Sequence, residues 1–319
     1  MEMIRKYKNL FLIGIWIGVL IVFPVLLIGC GDERGYHEID FANTIDVGQS
    51  NTGDSGNEVL EIAVSAMISP EETLSIYRLF LEYIGARTGM DVKLVQRKTY
   101  TDINNLFLKG EVDLGFICTG PYAAGKEKFG FEAVATPIIR GEPFYQAYLI
   151  VHRNSSVVTF EDLRGKVFAF TDPESNTGYA VPVMWLRESG ENPETFFKRV
   201  HYTFSHDNSI MATAKGLVDG ASVDGHIWEY FSAKEPVYTS MTKIIKKSRK
   251  FGSPPLVVSS RLDENVKKQI VEIILDMHFD PEGKDILDAL MIDRFEPAKE
   301  EWYVSAVEVQ EYLESRRNE

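Results

Sequence analysis

Cysteine is almost missing from this chain: 319 residues hold two, Cys30 and Cys118. A single pair so far apart builds neither a disulfide framework nor a cysteine zinc site. Histidine is scarce too, and His152, His201, His206 and His226 fall in no His-Glu-x-x-His or comparable spacing, so no metal site is expected. Positive charge is short, with 34 Lys+Arg against 47 Asp+Glu and a net charge of −13. That balance argues against sequence-independent binding of nucleic acid, which needs a basic surface. It does not exclude a small anion, which backbone N–H groups and hydroxyls can hold locally. There is no Gly-x-Ser-x-Gly, no Walker loop and no Gly-x-Gly-x-x-Gly, and Cys118 sits in an apolar stretch as an inert thiol. Neither an enzyme nor a cofactor is expected. Beyond the first thirty residues no apolar run reaches the length of a membrane span.

What is present suits a globular body. Hydrophobic residues make up 45%, aromatics 12% and charged residues 25%, enough to fill a core, and the length suits about two units of ~150 residues. Ahead of it stands a short basic segment with Arg5, Lys6 and Lys8, then an apolar run from Leu10 to Gly29. The run ends at Leu27-Ile28-Gly29-Cys30 and turns polar at once. This resembles a bacterial lipoprotein signal, which implies cleavage after residue 29, a lipid on Cys30 and a location outside the cytoplasmic membrane. An uncleaved anchor is the alternative, since the run also has about the ~20 residues that span a bilayer. Residues 30–57, ending in a Gly/Ser/Asn/Asp stretch from Asp46 to Asn57, read as a flexible tether.

From Val59 the pattern alternates strand and helix. Val59–Ala66 reads as a strand, and Pro70 opens a helix with Ser69 before it, Glu71 and Glu72 in its first turn and Gly89 after it. A strand over 91–96, a helix from Tyr100 to Leu108, a buried strand over 112–118 and a helix opening at Thr119-Gly120-Pro121-Tyr122 follow. A second unit starts near Tyr145, with strands over 145–151, 166–170, 201–204 and 219–223 and helices between them. The basic run from Lys243 to Lys250 reads as a connecting strand. After Pro254-Pro255 the strand Leu256–Ser259 returns towards the first unit, and the chain ends in helices. The rhythm predicts an α/β fold, mostly parallel in its sheets. Two lobes are expected, residues 58–145 with 252–319 and residues 146–251, joined by two hinge crossings, with ligands at the carboxyl ends of strands.

Between the strand ending at Phe170 and the next helix lies Ser175-Asn176-Thr177-Gly178. Small polar residues at a helix start offer hydroxyls, free N–H groups and the positive end of the dipole, a combination that holds a tetrahedral oxyanion. An ordinary helix cap is the competing reading, because serine and threonine serve there as well.

Four segments in order then point to a family. They are Tyr100 with Leu106–Gly110, Val112-Asp113-Leu114 and Gly120-Pro121-Tyr122; Leu163-Arg164-Gly165-Lys166 with Asp172-Pro173 and Ser175–Gly178; His206 with Val218-Asp219-Gly220 and Asp224–Tyr230; and Phe295-Glu296-Pro297 with Tyr303. In this order and spacing they resemble the phosphate/phosphite/phosphonate-binding proteins of bacterial ABC importers. The family commonly carries Ser-Thr-Ser-Gly at the turn, and Asn176 departs from that pattern. The resemblance implies a two-lobed periplasmic-binding-protein fold of the type II kind, each lobe a mixed sheet flanked by helices. It implies a monomer, a small oxyanion as ligand and an ABC permease as partner. The candidate ligand-binding residues are Tyr100, Thr119, Tyr122, Ser175, Asn176, Thr177, Gly178, His206 and Asp224. Asp224 and Glu229 could also face an amine on an organic phosphonate, and Asp224 could equally cap the helix it precedes. A binding protein that feeds a membrane receptor, or one for a sulfonate or thiamine-like solute, are the alternatives.

Overall fold

The computed structural model describes Ile45, Asp46 and residues 58–316. The expected signal peptide 1–29 and the lipidation position Cys30 lie outside these residues, as does the expected tether apart from Ile45 and Asp46. Those two form a short strand, β1, antiparallel to β3 (Asp91–Val95).

The first lobe is built on a seven-stranded sheet in the order β1-β3-β2-β4-β13-β5-β14. Strand β2 (Val59–Val64) pairs in parallel with β3 and with β4 (Leu114–Phe116). In β2, Leu60, Ile62 and Val64 face one apolar cluster while Ala63 faces another, as expected of a strand covered by helices on both sides. Helix α1 (Pro70–Thr88) has proline in its first turn, Glu71 and Glu72 at its positive end, and Gly89 at φ 75° closing it with an N–H bond to Gly85. Helix α2 (Tyr100–Lys109) starts on the Thr99 hydroxyl, which accepts from Asp102 N–H, and α3 (Thr119–Phe129) follows β4.

The returning strand β13 (Leu256–Ser259), wholly buried, slots between β4 and β5 (Phe131–Ile138) and is antiparallel to both. Strand β14 (Arg294–Pro297) completes the edge against β5. The sheet is therefore mixed rather than mostly parallel. The chain re-enters this lobe at the carboxyl end of the parallel strands, where Leu256 pairs with Phe116 at the end of β4, so β13 runs in the opposite sense.

The second lobe has a five-stranded sheet in the order β11-β7-β10-β8-β9. Its strands are β7 (Ala147–His152), β8 (Val167–Phe170), β9 (Arg199–Tyr202), β10 (Gly220–Asp224) and β11 (Thr242–Lys247). The basic segment expected to be a connector is thus an edge strand of the sheet, antiparallel to β7 with a bulge between Ile244 and Lys246. Lysines on an edge discourage pairing with another chain. Helices α4 (Val181–Glu188), α5 (His206–Ala214) and α6 (Gly225–Lys234) cover this sheet.

The chain crosses between the sheets twice, and the crossings pair as a two-stranded ribbon, β6 (Phe144–Tyr145) against β12 (Phe251–Gly252). Helices α7 (Glu264–Asp276) and α8 (Pro281–Ala289) pack on the first lobe, where Ile270, Ile274 and Leu287 are buried. The last helix, α9 (Val304–Ser315), lies beside α3, yet Ala306 and Val309 enter the core of the second lobe next to Phe251. Among the described residues, no helix is long and apolar enough to cross a membrane.

Candidate functional site

The carboxyl ends of β2, β8 and β10 converge where the lobes meet. Four contacts bridge the two sides there. His206 N–H donates to Met67 O at 2.8 Å, Ser69 N–H to Asp207 Oδ1 at 3.0 Å, Tyr100 N–H to Asp172 Oδ2 at 3.2 Å and Asn104 Nδ2 to Glu174 Oε2 at 3.0 Å. The Asp172 carboxylate thereby sits at the start of α2, where the helix dipole favours negative charge.

The turn expected to hold an anion approaches α3 closely. A Cβ on Gly120 would lie 2.2 Å from Glu174 O and 2.9 Å from Asn176 N, so only glycine lets the Gly-Pro-Tyr helix start come this near. A Cβ on Gly178 would lie 2.3 Å from Thr171 Oγ1, so the last residue of the turn is constrained in the same way. Residues Asn176–Ala180 form one π-helical turn leading into α4. Such turns inside a helix are frequent at functional positions.

Between these elements lie side-chain polar atoms that are fully buried and have no hydrogen-bond partner: Ser65 Oγ, Tyr100 Oη, Asn176 Oδ1, Thr177 Oγ1, Ser205 Oγ and His206 Nε2. Buried polar groups are normally paired, so a group of orphans at one place calls for a reason. Nearly all of them can donate. Among the described residues no lysine or arginine is buried.

The histidine shows how the donors are aimed. His206 Nδ1 accepts from Asp224 N–H at 3.1 Å and lies 3.2 Å from the Thr171 hydroxyl. A backbone N–H can only donate, so Nδ1 is bare and the proton sits on Nε2. Burial lowers the imidazole pKa to about 3, which keeps the ring neutral. Asn176 Nδ2 stands 3.2 Å from Tyr145 Oη while its Oδ1 is unpaired. Reversing the amide lets Tyr145 donate to Oδ1 and turns the NH₂ inward, the orientation an anion would select.

Asp224 is fully buried and caps α6, its Oδ1 accepting from His226 and Ile227 N–H at 2.8 and 3.3 Å. Burial pushes its carboxyl up to about 7; Glu229 adds to the rise, and the two N–H bonds oppose it. Burial also raises the phenols of Tyr100 and Tyr145 and takes the Cys118 thiol to about 11, so that cysteine is no nucleophile.

The structure brings together Tyr100, Asn176, Thr177 and His206 from the expected set, with Asp224 bonded to His206. Ser175 lies in the same turn as its cap, accepting from Gly178 N–H at 3.0 Å, so the Gly178 N–H is taken. Thr119 donates to Gly252 O at 2.8 Å, which ties α3 to the crossing ribbon. Tyr122 is not brought to the group. Its hydroxyl donates to Glu300 at 3.1 Å and its ring packs 4.6 Å from Tyr303, because it faces the side of α3 turned towards α9. Glu229 is held by Arg140 at 2.7 Å and by the Tyr148 hydroxyl at 2.6 Å. Sequence reasoning missed Ser65, Ser205 and Tyr145. Ser65 directly follows β2, a position that the carboxyl-end rule would have singled out. Nothing local marks Tyr145, which lies in a two-residue strand.

A family model for the phosphonate-binding periplasmic substrate-binding proteins of ABC transporters matches residues 62–303. The chain belongs to this family. Among curated proteins it is similar to a phosphate-import protein of Mycolicibacterium smegmatis, 26% identical over 54% of this chain and 56% of that one. A probable phosphite-binding protein of an ABC transporter from Prochlorococcus marinus is 22% identical over 52% and 60%. The aligned part thus spans little more than half the length of these curated relatives. In fold the chain is similar to a binding protein of an ABC phosphonate transporter from Pseudomonas aeruginosa, with TM-score 0.77 and 22% identity over 81% of this chain and 87% of that one. It is also similar to the Prochlorococcus protein solved with methylphosphonate, with TM-score 0.72 and 19% identity over 81% and 98%. Members of the phosphonate-binding family are periplasmic, and the body of this protein is extracytoplasmic and associated with the membrane.

Proposed function

We propose that this protein captures a small oxyanion, a phosphonate, phosphite or phosphate, and delivers it to an ABC permease as a non-catalytic, monomeric binding protein. Cys30 would carry the lipid that keeps it at the membrane. The observation that supports this reading most is the buried group of orphan donors on both sides of the cleft: Ser65 and Tyr100 from the first lobe, Thr177, Ser205 and His206 from the second. Such neutral donors hold an oxyanion without a counter-charge, and a ligand that touches both lobes stabilises the closed arrangement in proportion to those contacts. The lobes would move about the β6/β12 ribbon, where the two crossings lie. The relatives' names point the same way: one imports phosphate, one binds phosphite and one was solved with methylphosphonate.

Calorimetry of the full chain against phosphate, phosphite, methylphosphonate and a short alkanesulfonate tests the reading. At least one phosphorus oxyanion is expected to bind and to raise the melting temperature, since binding to the folded state alone stabilises it. Binding of the sulfonate alone, or of none, would reject it.

A further inference from the structure

Asp224 faces two places at once. Its N–H holds His206 within the donor group, and the same residue lines a cavity of about 110 Å³ between the lobes. That cavity is mostly apolar, its polar side chains coming from Tyr77, Asp224, His226 and Tyr230. Ile76, Tyr77 and Phe116 line it from the first lobe, and Ile227 and Phe231 from the second. Resting on the oxyanion site proposed above, we propose that this chamber takes an apolar substituent of the ligand, so that the preferred solute is a phosphonate with a short alkyl or aryl group rather than phosphate, phosphite or an aminoalkyl phosphonate.

Size, charge and position all bear on this. An apolar cavity of ~150 Å³ stays dry and can hold benzene, so 110 Å³ suits a group of a few carbons. An ammonium group buried here would meet a single carboxyl, that of Asp224, whose Oδ1 already serves two N–H groups. The other acid expected near an amine, Glu229, is held by Arg140 and Tyr148. Burying a cation without a well-placed partner is expensive, whereas burying a methylene is favourable. Walls from both lobes mean that the substituent, like the anion, would contact both and favour closure.

The test is calorimetry on the full chain in lipid nanodiscs with phosphite, methyl-, propyl-, butyl- and phenylphosphonate, and 2-aminoethylphosphonate as a near-isostere of the propyl compound. Affinity is expected to rise about three- to fourfold per methylene from methyl to butyl. The propyl compound should bind more tightly than the aminoethyl one. Ile76→Phe, on the half-buried face of α1, fills the chamber and should flatten the series, bringing the butyl-to-methyl ratio towards one. If methylphosphonate or phosphite binds and lengthening the chain gives no gain, the chamber is not a ligand subsite and the anion site stands. Tighter binding of the aminoethyl compound would also overturn the inference, since Asp224 would then be receiving an ammonium. Binding of none of these anions would remove the site itself, and the inference with it.

Discussion

His206 Nδ1 accepts a hydrogen bond from the backbone N–H of Asp224 at 3.1 Å. One bond links the start of α5 to the end of β10 and also sets which ring nitrogen carries the proton, leaving Nε2–H buried and unpaired. The two roles of the ring separate by substitution. His206→Asn keeps an acceptor near the Nδ1 position and removes the Nε2 donor. Oxyanion affinity should fall at least tenfold while unfolding stability drops by about 1 kcal/mol or less. His206→Leu strands the Asp224 N–H as well and should be less stable than the asparagine variant by roughly 1–3 kcal/mol. Calorimetry with urea unfolding reads both effects. Equal stability of the two variants would deny the structural role of Nδ1.

Asp224 makes binding depend on pH. Burial raises its carboxyl from 3.8 to about 7 in the folded protein. Below that value the group is neutral and does not oppose an anion; above it a carboxylate stands beside the site. Affinity in the parent should therefore fall as pH rises through about 7. Asp224→Asn retains the cap on α6 and should lose that part of the fall. The ligand's own ionisation is common to both proteins, so the difference between their profiles between pH 5.5 and 8.5 reports on Asp224. Folding stability should follow the same sign: a raised carboxyl contributes fully below 3.8 and loses that contribution as pH climbs through about 7. The asparagine variant should gain on the parent over that range, and parallel profiles would contradict the assignment.

Thr177→Ala removes a buried hydroxyl that pairs with nothing in the protein. A hydrogen bond to a charged group is worth about 1.5–3 kcal/mol, so binding should weaken roughly ten- to a hundredfold. Stability without ligand should hold or rise slightly, because an unpaired buried polar group is a burden on the fold. A melting curve beside a titration shows whether the two effects part in this way; a large loss of stability would mean that the hydroxyl is structural.

Tyr122→Phe serves as the contrasting case. Its hydroxyl reaches Glu300, which Lys126 also contacts at 2.5 Å on the exposed side. Oxyanion affinity should match the parent, and stability should fall by no more than about 1 kcal/mol. A tenfold loss of affinity would return Tyr122 to the site.

Mass spectrometry of membrane-extracted protein checks the proposed anchor. The parent is expected to begin at a lipid-modified Cys30, and Cys30→Ser to remain a full-length, unmodified chain. An unmodified parent of full length would favour an uncleaved membrane anchor instead.

Much of the architecture was legible in local signals. Gly89 and Gly110 end their helices in the left-handed conformation, Asp224 caps the helix it precedes, and Leu256–Ser259 forms the strand that returns to the first lobe. Each of these follows from backbone sterics or from side-chain periodicity within a few residues. The turn at Ser175–Gly178 was also visible, because helix starts favour small polar residues whether they cap or bind. What that turn faces was not visible. Whether a tyrosine points into the cleft depends on which side of α2 or α3 carries it and on what packs there, so Tyr100 and Tyr122 looked alike in sequence and separate only in space. Tyr145 joins Asn176 because a two-residue strand at the crossing sets its ring there, a long-range pairing with no local mark. The chamber beside Asp224 arises the same way, from residues far apart in the chain that only the meeting of two lobes brings onto common walls.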